Sequence, residues 1–247
     1  MIWLIIGSII ILFLSYVIYD NFRIEFSFYD IKDSFDLTIC HISDVHSRKL
    51  NLKRLLKRID KINPDIIIYT GDIVDGYNDD LSITLDMFKA LSSYKGFYSL
   101  GNHELRLDDK LNEYLDEVSK YNVTILQGSI IEYKGIKIKG ELPIIKGDIT
   151  KINKQPANIV LAHNPEEIKN YEGDIIFSGH AHGGQFRLFN RGLYSPDQGV
   201  FPRYSKGKYL VDSKKLFVSS GLGGKDFAIR LFNPPNINIV RIKKDKS

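Results

Sequence analysis

Tyr69-Thr70-Gly71-Asp72-Ile73-Val74-Asp75 is the stretch on which the fold turns, because the apolar run Ile66 to Tyr69 breaks off into a glycine and two carboxylates. The run reads as a buried strand, and a carboxylate just past the C-terminal end of such a strand faces the crevice where open α/β sheets bind ligands. With two oxygens, Asp72 can bridge two metal ions. The same residues also suit a plain turn after a strand, since glycine and aspartate are common turn formers. What the rest of the chain brings to that edge decides between the two.

Working outward, the pattern of strand, glycine and polar ligand types recurs. Asp36 to Ser43 reads as a strand that includes Leu37, Ile39 and His41, and it runs into Asp44-Val45-His46, where carboxylate and imidazole two apart can face the same way. Asn51 to Ile62 is an amphipathic helix, with Leu52, Leu55, Leu56, Ile59 and Ile62 on one face and five cations outward, stopped by Asn63-Pro64. Leu81 to Ser92 is helical, Gly96 to Leu100 is a short strand opening into Gly101-Asn102-His103-Glu104, and Leu107 to Lys120 is a further helix. Val123 to Leu126 is a strand and Ile130 to Lys139 a hairpin about Lys134-Gly135. This alternation implies a largely parallel sheet with helices on its faces. The second half is richer in strands: Asn158 to Ala162 ends at His163, Asp174 to Ser178 ends at Gly179-His180-Ala181-His182, and short strands follow at Lys215 to Ser219 and Ile237 to Ile242.

Ile2 to Tyr19 carries no charge and as a helix would reach about 27 Å at roughly 1.5 Å per residue, close to a hydrocarbon core. It lacks a basic leader and a small-residue cleavage site, which favours an uncleaved anchor. The expected division is an anchor at 1–20, a juxtamembrane segment at 21–36 and one domain at 37–247, held single-pass in the cell membrane. Its membrane face stays open, because Arg23 and Lys32 sit among Asp20, Glu25, Asp30 and Asp33. Among 247 residues, 34 Lys and Arg against 30 Asp and Glu do not point to a nucleic-acid partner. Cys40 is the single cysteine, so neither an intramolecular disulfide nor a thiolate metal cluster can form, and metal binding must use nitrogen and oxygen.

Six histidines occur, and five of them, His46, His103, His163, His180 and His182, lie at predicted strand ends beside Gly, Asn or Asp. One such histidine is commonly structural; five on one sheet edge favour a metal site. Imidazoles and carboxylates without thiolates suit manganese, iron or zinc, and the ligand list is too long for one ion and right for two.

Asp44-Val45-His46, Gly71-Asp72-Ile73-Val74-Asp75, Gly101-Asn102-His103-Glu104, His163 and Gly179-His180-Ala181-His182 resemble, in order, the motifs of the calcineurin-like metallophosphoesterases. The resemblance covers Leu37 to Gly184. Gly192-Leu193-Tyr194-Ser195-Pro196-Asp197-Gln198-Gly199 and Arg230-Leu231-Phe232-Asn233-Pro234-Pro235 resemble the membrane-associated bacterial phosphodiesterase branch. Several family phosphatases follow the second aspartate with Arg-Gly, whereas Asp75 here precedes Gly76-Tyr77, which weakens the case for a protein phosphatase.

The resemblance implies an α/β fold, a four-layer sandwich of two mixed sheets flanked by helices. It implies one metal on Asp44, His46, Asp72 and His182, a second on Asp72, Asn102, His163 and His180, and a shared hydroxide for in-line attack at phosphorus, manganese being the favoured ion. His103 would protonate the leaving oxygen with Asp75 orienting its ring. Glu104 either supports a histidine or faces solvent, and His41 belongs to the core or backs a ligand. Gly221-Leu222-Gly223-Gly224 lacks the Lys and Ser/Thr of a P-loop and reads as a tight turn. Phe201-Pro202-Arg203-Tyr204 and Lys225 are candidates for a substrate groove, and the tail Arg241 to Lys246 is solvated. The expected reaction is hydrolysis of a phosphodiester or pyrophosphate, with a lipid-linked or UDP-sugar-lipid substrate suggested by the branch. A soluble nucleotide phosphodiesterase or phosphatase, or a metal-binding scaffold without catalysis, are the alternatives, and oligomeric state is left open.

Overall fold

A strand of five isoleucine, tyrosine and threonine residues with no charge can sit only in the interior of a covered sheet, and Ile66–Thr70 is buried along its whole length in a computed structural model of the protein. The structure describes residues 1–77, 80–195, 198–224 and 230–245. In chain order, the elements begin with α1 (Ile2–Phe22), β1 (Glu25–Asp33), β2 (Leu37–Ile42), α2 (Leu52–Ile62), β3 (Ile66–Thr70), α3 (Ser82–Ala90) and β4 (Lys95–Ser99). Next come α4 (Leu111–Ser119), β5 (Val123–Ile125), β6 (Ile130–Tyr133), β7 (Ile136–Gly140), β8 (Ala157–Leu161) and β9 (Gly173–Ser178). The short strands β10 (Arg187–Leu188), β11 (Arg191–Gly192), β12 (Tyr194–Ser195) and β13 (Gly199–Val200) precede β14 (Gly207–Val211), β15 (Lys214–Val218) and β16 (Asn236–Lys244).

Two six-stranded sheets result, in the orders β1-β16-β2-β3-β4-β5 and β14-β15-β9-β8-β7-β6. In the first, β2 to β5 are parallel and β16 runs antiparallel to β2. In the second, β7, β8, β9 and β15 are parallel, with antiparallel β6 and β14 on the edges.

Side chains alternate across each sheet, as the two-residue period requires. Ile67 and Tyr69 pack with Leu55 and Ile59 of α2, Phe88 of α3 and Tyr114 of α4. Ile66 and Ile68 point the other way, into a layer shared with Ile138, Ile159, Phe177 and Phe217 of the second sheet. The outer face of that sheet, with Val160, Ile176 and Leu216, is covered by Ile144, Ile152, Ile168 and Tyr204 from loops and the 3-10 helix Pro165–Asn170. The molecule is thus a mixed α/β sandwich of two sheets, as expected.

The structure adds three things to the sequence reading. Residues in the expected 21–36 segment form β1, an edge strand paired with β16 from Glu25↔Asn236 to Asp33↔Lys244. The helix expected over Leu107 to Lys120 is broken: a 3-10 segment Glu104–Lys110 precedes α4, and Asp108 at φ 45° interrupts the helical ladder. Four short strands, β10 to β13, lie where the sequence reading assigned no element. The helix α1 is long and apolar enough to cross a membrane, and its spanning window is unburied. Its last turn is tied to the domain, where Asn21 exchanges two hydrogen bonds of 2.8 Å with the backbone of Arg230 and accepts one of 2.6 Å from Arg48 at its carbonyl.

Candidate metal centre

The loops that leave β2, β3, β4, β8 and β9 meet at one edge of the sandwich. Past the strands, the β2 and β3 loops go on pairing: Asp44 N–H donates to Gly71 O, His46 N–H to Asp72 O and Ser47 N–H to Ile73 O, each at 3.0 Å. Gly71 sits at φ 87°, and a Cβ there would strike the backbone of Gly101, so the β3 and β4 loops touch main chain to main chain. A Cβ on Gly179 would likewise strike Ser43 and the Asp44 carboxylate. Asp44, His46, Asp72, His180 and His182 all have left-handed backbones, φ between 45° and 65°. Such a conformation costs about 1–2 kcal/mol per residue, a strain that persists where the surroundings enforce it and that clusters at functional sites.

At Asp72 that enforcement comes in part from Glu104. Its buried carboxylate accepts hydrogen bonds from the backbone N–H groups of Asp72 (2.8 Å), Ile73 (2.7 Å), Val74 (3.3 Å) and Gly101 (2.7 Å), and from the Tyr98 hydroxyl (2.7 Å). It neither supports a histidine nor faces solvent, the two roles considered from sequence; it clamps two site loops together.

Three groups of candidate ligand atoms form among the described residues: His46, Asp75 and His103 make one, and the other two face each other across Asp72. Of those two, Asp44, His46 and His182 make one and Asp72, His163 and His180 the other, with the candidate atoms of each within 4.8 Å of one another. Asp72 Oδ2 faces both sides, 3.2 Å from His163 Nε2 and 3.8 Å from His46 Nε2. Asp44 Oδ1 is 3.7 Å from His182 Nε2, and the His180 N–H reaches both Asp44 oxygens at 3.0 and 3.1 Å. His163 donates from Nδ1 to the Thr70 carbonyl at 2.7 Å, which turns Nε2 toward Asp72. Asn102 Oδ1 and His182 Nδ1 are buried with no hydrogen-bond partner. A polar atom left so is costly, and divalent cations would satisfy both. Two carboxylates, an amide oxygen and imidazoles, without thiolate, fit manganese, iron or zinc.

His103 lies beside this pair. Its backbone N–H donates to Asp72 Oδ1 at 2.8 Å and its Nε2 is 4.0 Å from Asp72 Oδ2. Its Nδ1 is held by the main-chain carbonyl of Asp75, while the Asp75 carboxylate stands 3.7 Å away and is partly exposed. Arg106 places Nη1 3.0 Å from His103 Nε2, with its guanidinium 4.8 Å from the Tyr77 ring centre. Sequence reading missed Arg106; the signal was its spacing of three from His103, one turn of a 3-10 helix. Position 76 is glycine, so the guanidinium at this histidine comes from the β4 loop.

A family model for calcineurin-like phosphoesterases matches residues 37–184, the stretch that contains every one of these ligand loops. The chain belongs to that family. A metallophosphoesterase of Campylobacter jejuni is 33% identical over 235 residues, 85% of this chain and 60% of that protein, so the chain spans less than two thirds of that relative's length. One from Aquifex aeolicus is 29% identical over 238 residues, covering 84% of this chain and 85% of the relative. The UDP-2,3-diacylglucosamine pyrophosphatase LpxG of Chlamydia muridarum is 26% identical over 274 aligned positions, 83% of each chain. Among solved structures, TT1561 of Thermus thermophilus superposes with a TM-score of 0.51 at 14% identity, covering 76% of this chain and 91% of the other, which shows a common fold.

In this calcineurin-like phosphoesterase a chain of neutral groups backs the candidate ligands. His41, buried in β2, lies 2.8 Å from Thr70 Oγ1 through Nε2 and accepts from Asn238 at Nδ1 (3.3 Å); Thr70 Oγ1 in turn donates to Ser43 Oγ at 2.8 Å. Burial pushes the His41 pKa down to about 3, so it stays neutral and steadies the residue whose carbonyl orients His163. Burial works against ionisation of Asp72, yet His163, His46 and His103 together hold its carboxyl well below the ordinary range. Burial also opposes a charge on His163, and Asp72 and Asp44 overcome it, raising that imidazole to about 10. Burial, with His46 and Arg230 nearby, holds His182 well below its usual value. In metal-free protein His163 therefore carries the proton and pairs with Asp72.

The Gly221 to Gly223 stretch is a turn closed on the first motif: Leu222 and Gly223 N–H groups donate to Asp44 O at 3.1 and 2.7 Å. Phe201, Pro202 and Arg203 border a cavity of about 360 Å³ with Asn190, Arg191 and Gly192, and no candidate metal ligand lines it. Lys225, Pro196, Asp197 and Lys246 lie outside the described residues.

Proposed function

We propose that this protein is a dinuclear metal-dependent phosphoesterase, anchored by α1, that cleaves a phosphodiester or pyrophosphate carried on a lipid. The single observation that supports it most is the placement of Asp72 between two histidine-containing ligand groups. Asp44, His46, Asp72 and His182 would hold one ion, and Asp72, Asn102, His163 and His180 the other, manganese being the favoured metal. When bound, the ions supply Lewis acidity toward phosphoryl oxygen and acidify a water for attack.

The chain's own groups do the rest. The Asp75 carbonyl fixes His103 Nδ1, so Nε2 is the ring atom left to carry a proton to the leaving oxygen. Arg106 stands 3.0 Å from that same nitrogen, where its guanidinium could instead pair with a phosphoryl oxygen and leave Nε2 free. The lipid-linked substrate rests on two supports: α1 is apolar enough to span a bilayer, and a relative at 26% identity is a UDP-2,3-diacylglucosamine pyrophosphatase.

The test compares a chromogenic phosphodiester with its monoester, in manganese and in chelator. Diester turnover that chelator abolishes, with His103→Ala slowing kcat about 10²–10⁴-fold and Arg106→Ala acting mainly on KM, is the expected outcome. Preference for the monoester would overturn the diester reading, and full activity in chelator would overturn the metal reading.

A further inference from the structure

Beyond His182 the chain runs into two short hairpins, β10–β11 and β12–β13, that turn apolar side chains outward. Leu188 is 51% exposed, Phe189 91%, Tyr194 57%, Val200 69% and Phe201 67%. Single exposed apolar residues are ordinary, but five in one stretch make a patch of the kind that marks an interaction surface. The described residues of 186–203 carry Arg187, Arg191 and Arg203 and no carboxylate; Asp197 lies outside the described residues.

The patch is physically continuous with α1 and with the metal centre, through Leu231 to Asn233. Phe186 forms a bridge with Leu231, and Arg187 N–H donates to Leu231 O at 3.0 Å. Phe232, itself 48% exposed, packs its ring 5.5 Å from that of Tyr16. Asn233 donates to the His182 carbonyl at 2.8 Å, and Arg187 ties the first hairpin to the Gly183 carbonyl at 2.8 Å. Tyr16 lies six residues before the end of α1 at Phe22, a rise of roughly 9 Å along the helix. A bilayer that contains α1 therefore reaches the level of Phe232, and with it the hairpins joined to Leu231. Aromatic side chains with arginines among them are what the headgroup region favours.

We propose that the β10–β11 and β12–β13 hairpins are a second membrane contact, seated in the headgroup region of the leaflet where α1 emerges, so that the metal centre takes a phosphoester presented at the lipid surface. This rests on the reading of α1 as an anchor and sharpens it, since the hairpins would give the domain a second seat on the same leaflet beside α1, which Asn21 already ties to it. Exposed Arg191 and Arg203 would meet lipid phosphates while Leu188, Phe189, Val200 and Phe201 enter the acyl boundary.

The test uses full-length protein in phosphatidylcholine–phosphatidylglycerol vesicles, with an environment-sensitive fluorophore on Phe189→Cys, Val200→Cys, Glu132→Cys or Phe13→Cys. Native Cys40 is buried and stays unlabelled. Positions 189 and 200 should be quenched by lipid-borne nitroxide and protected from aqueous iodide, whereas position 132, on the edge strand β6, should behave the opposite way. Iodide quenching of 189 and 200 equal to that of 132 would overturn the proposal, and so would shielding from both quenchers, which would mean a second copy covers the patch. Position 13 separates the two readings: lipid contact at 13 without contact at 189 and 200 rejects the hairpin contact and leaves the anchor standing. A double variant, Leu188→Ser with Phe189→Ser, should lower turnover of a lipid-borne diphosphate about tenfold while sparing a soluble chromogenic diester. No loss on the lipid-borne diphosphate, or an equal loss on both substrates, would contradict the proposal, and the fluorophore readout stands whether or not that diphosphate is cleaved.

Discussion

Asp72 and His163 form an ion pair that a metal bound at these residues would have to break. With His163 raised to about 10 and Asp72 held well below its ordinary range, the metal-free site is protonated on the imidazole and ionised on the carboxylate at neutral pH. The raised imidazole stabilises the metal-free fold fully below its unfolded value and loses that contribution as pH rises through about 10. The depressed carboxyl contributes above the ordinary carboxylate value and loses its share as pH falls below it. Metal loading should therefore release a proton near neutral pH and weaken in acid. Calorimetry of manganese binding in buffers of different ionisation enthalpy reads this directly, and an observed heat independent of buffer would contradict it. Glu104 supplies a second residue-scale prediction. Glu104→Ala strips the acceptor from four buried N–H groups and a tyrosine hydroxyl, so urea unfolding should show a loss of about 3–5 kcal/mol; a loss under about 1 kcal/mol would mean the clamp matters little.

At the scale of elements, what was legible was what is locally determined. The apolar run of β3 and the three- and four-residue spacing of α2 are properties of neighbouring residues, and both elements appear within a residue of where they are expected. The strand-end motifs were legible for the same reason, since glycine and ligand residues sit side by side. β1 was not, because its partner β16 lies some two hundred positions away and its exposed edge mixes charge with aromatic residues. Nor was the role of Glu104, whose bonds go to the backbone of residues 72–74 and so leave no side-chain signature. Asp108, at φ 45° and ψ −117°, breaks a helix that amphipathic spacing alone would continue. Glycine adopts that conformation without a Cβ penalty, so Asp108→Gly should raise stability by about 1 kcal/mol. Thermal unfolding that moves down instead would show that the Asp108 side chain holds the break.

For the whole molecule, the site exists because two sheets pack face to face. The first supplies Asp44, His46, Asp72 and Asn102 from the ends of β2, β3 and β4, the second supplies His163, His180 and His182 from β8 and β9, and the layer of Ile66, Ile68, Phe177 and Phe217 sets their register. The groups around Asp44 and Asp72 each draw on both sheets, since Asp44 and His46 need His182, and Asp72 needs His163 and His180. The most direct measurement is the metal content of full-length protein loaded with manganese and dialysed, read together with diester turnover, for the native chain and Asp72→Ala. Two ions shared through Asp72 predict about two equivalents in the native chain, a fall in both occupancies in the variant, and turnover that disappears with the metal. One equivalent or none in the native chain, or turnover that survives in Asp72→Ala, would contradict the account.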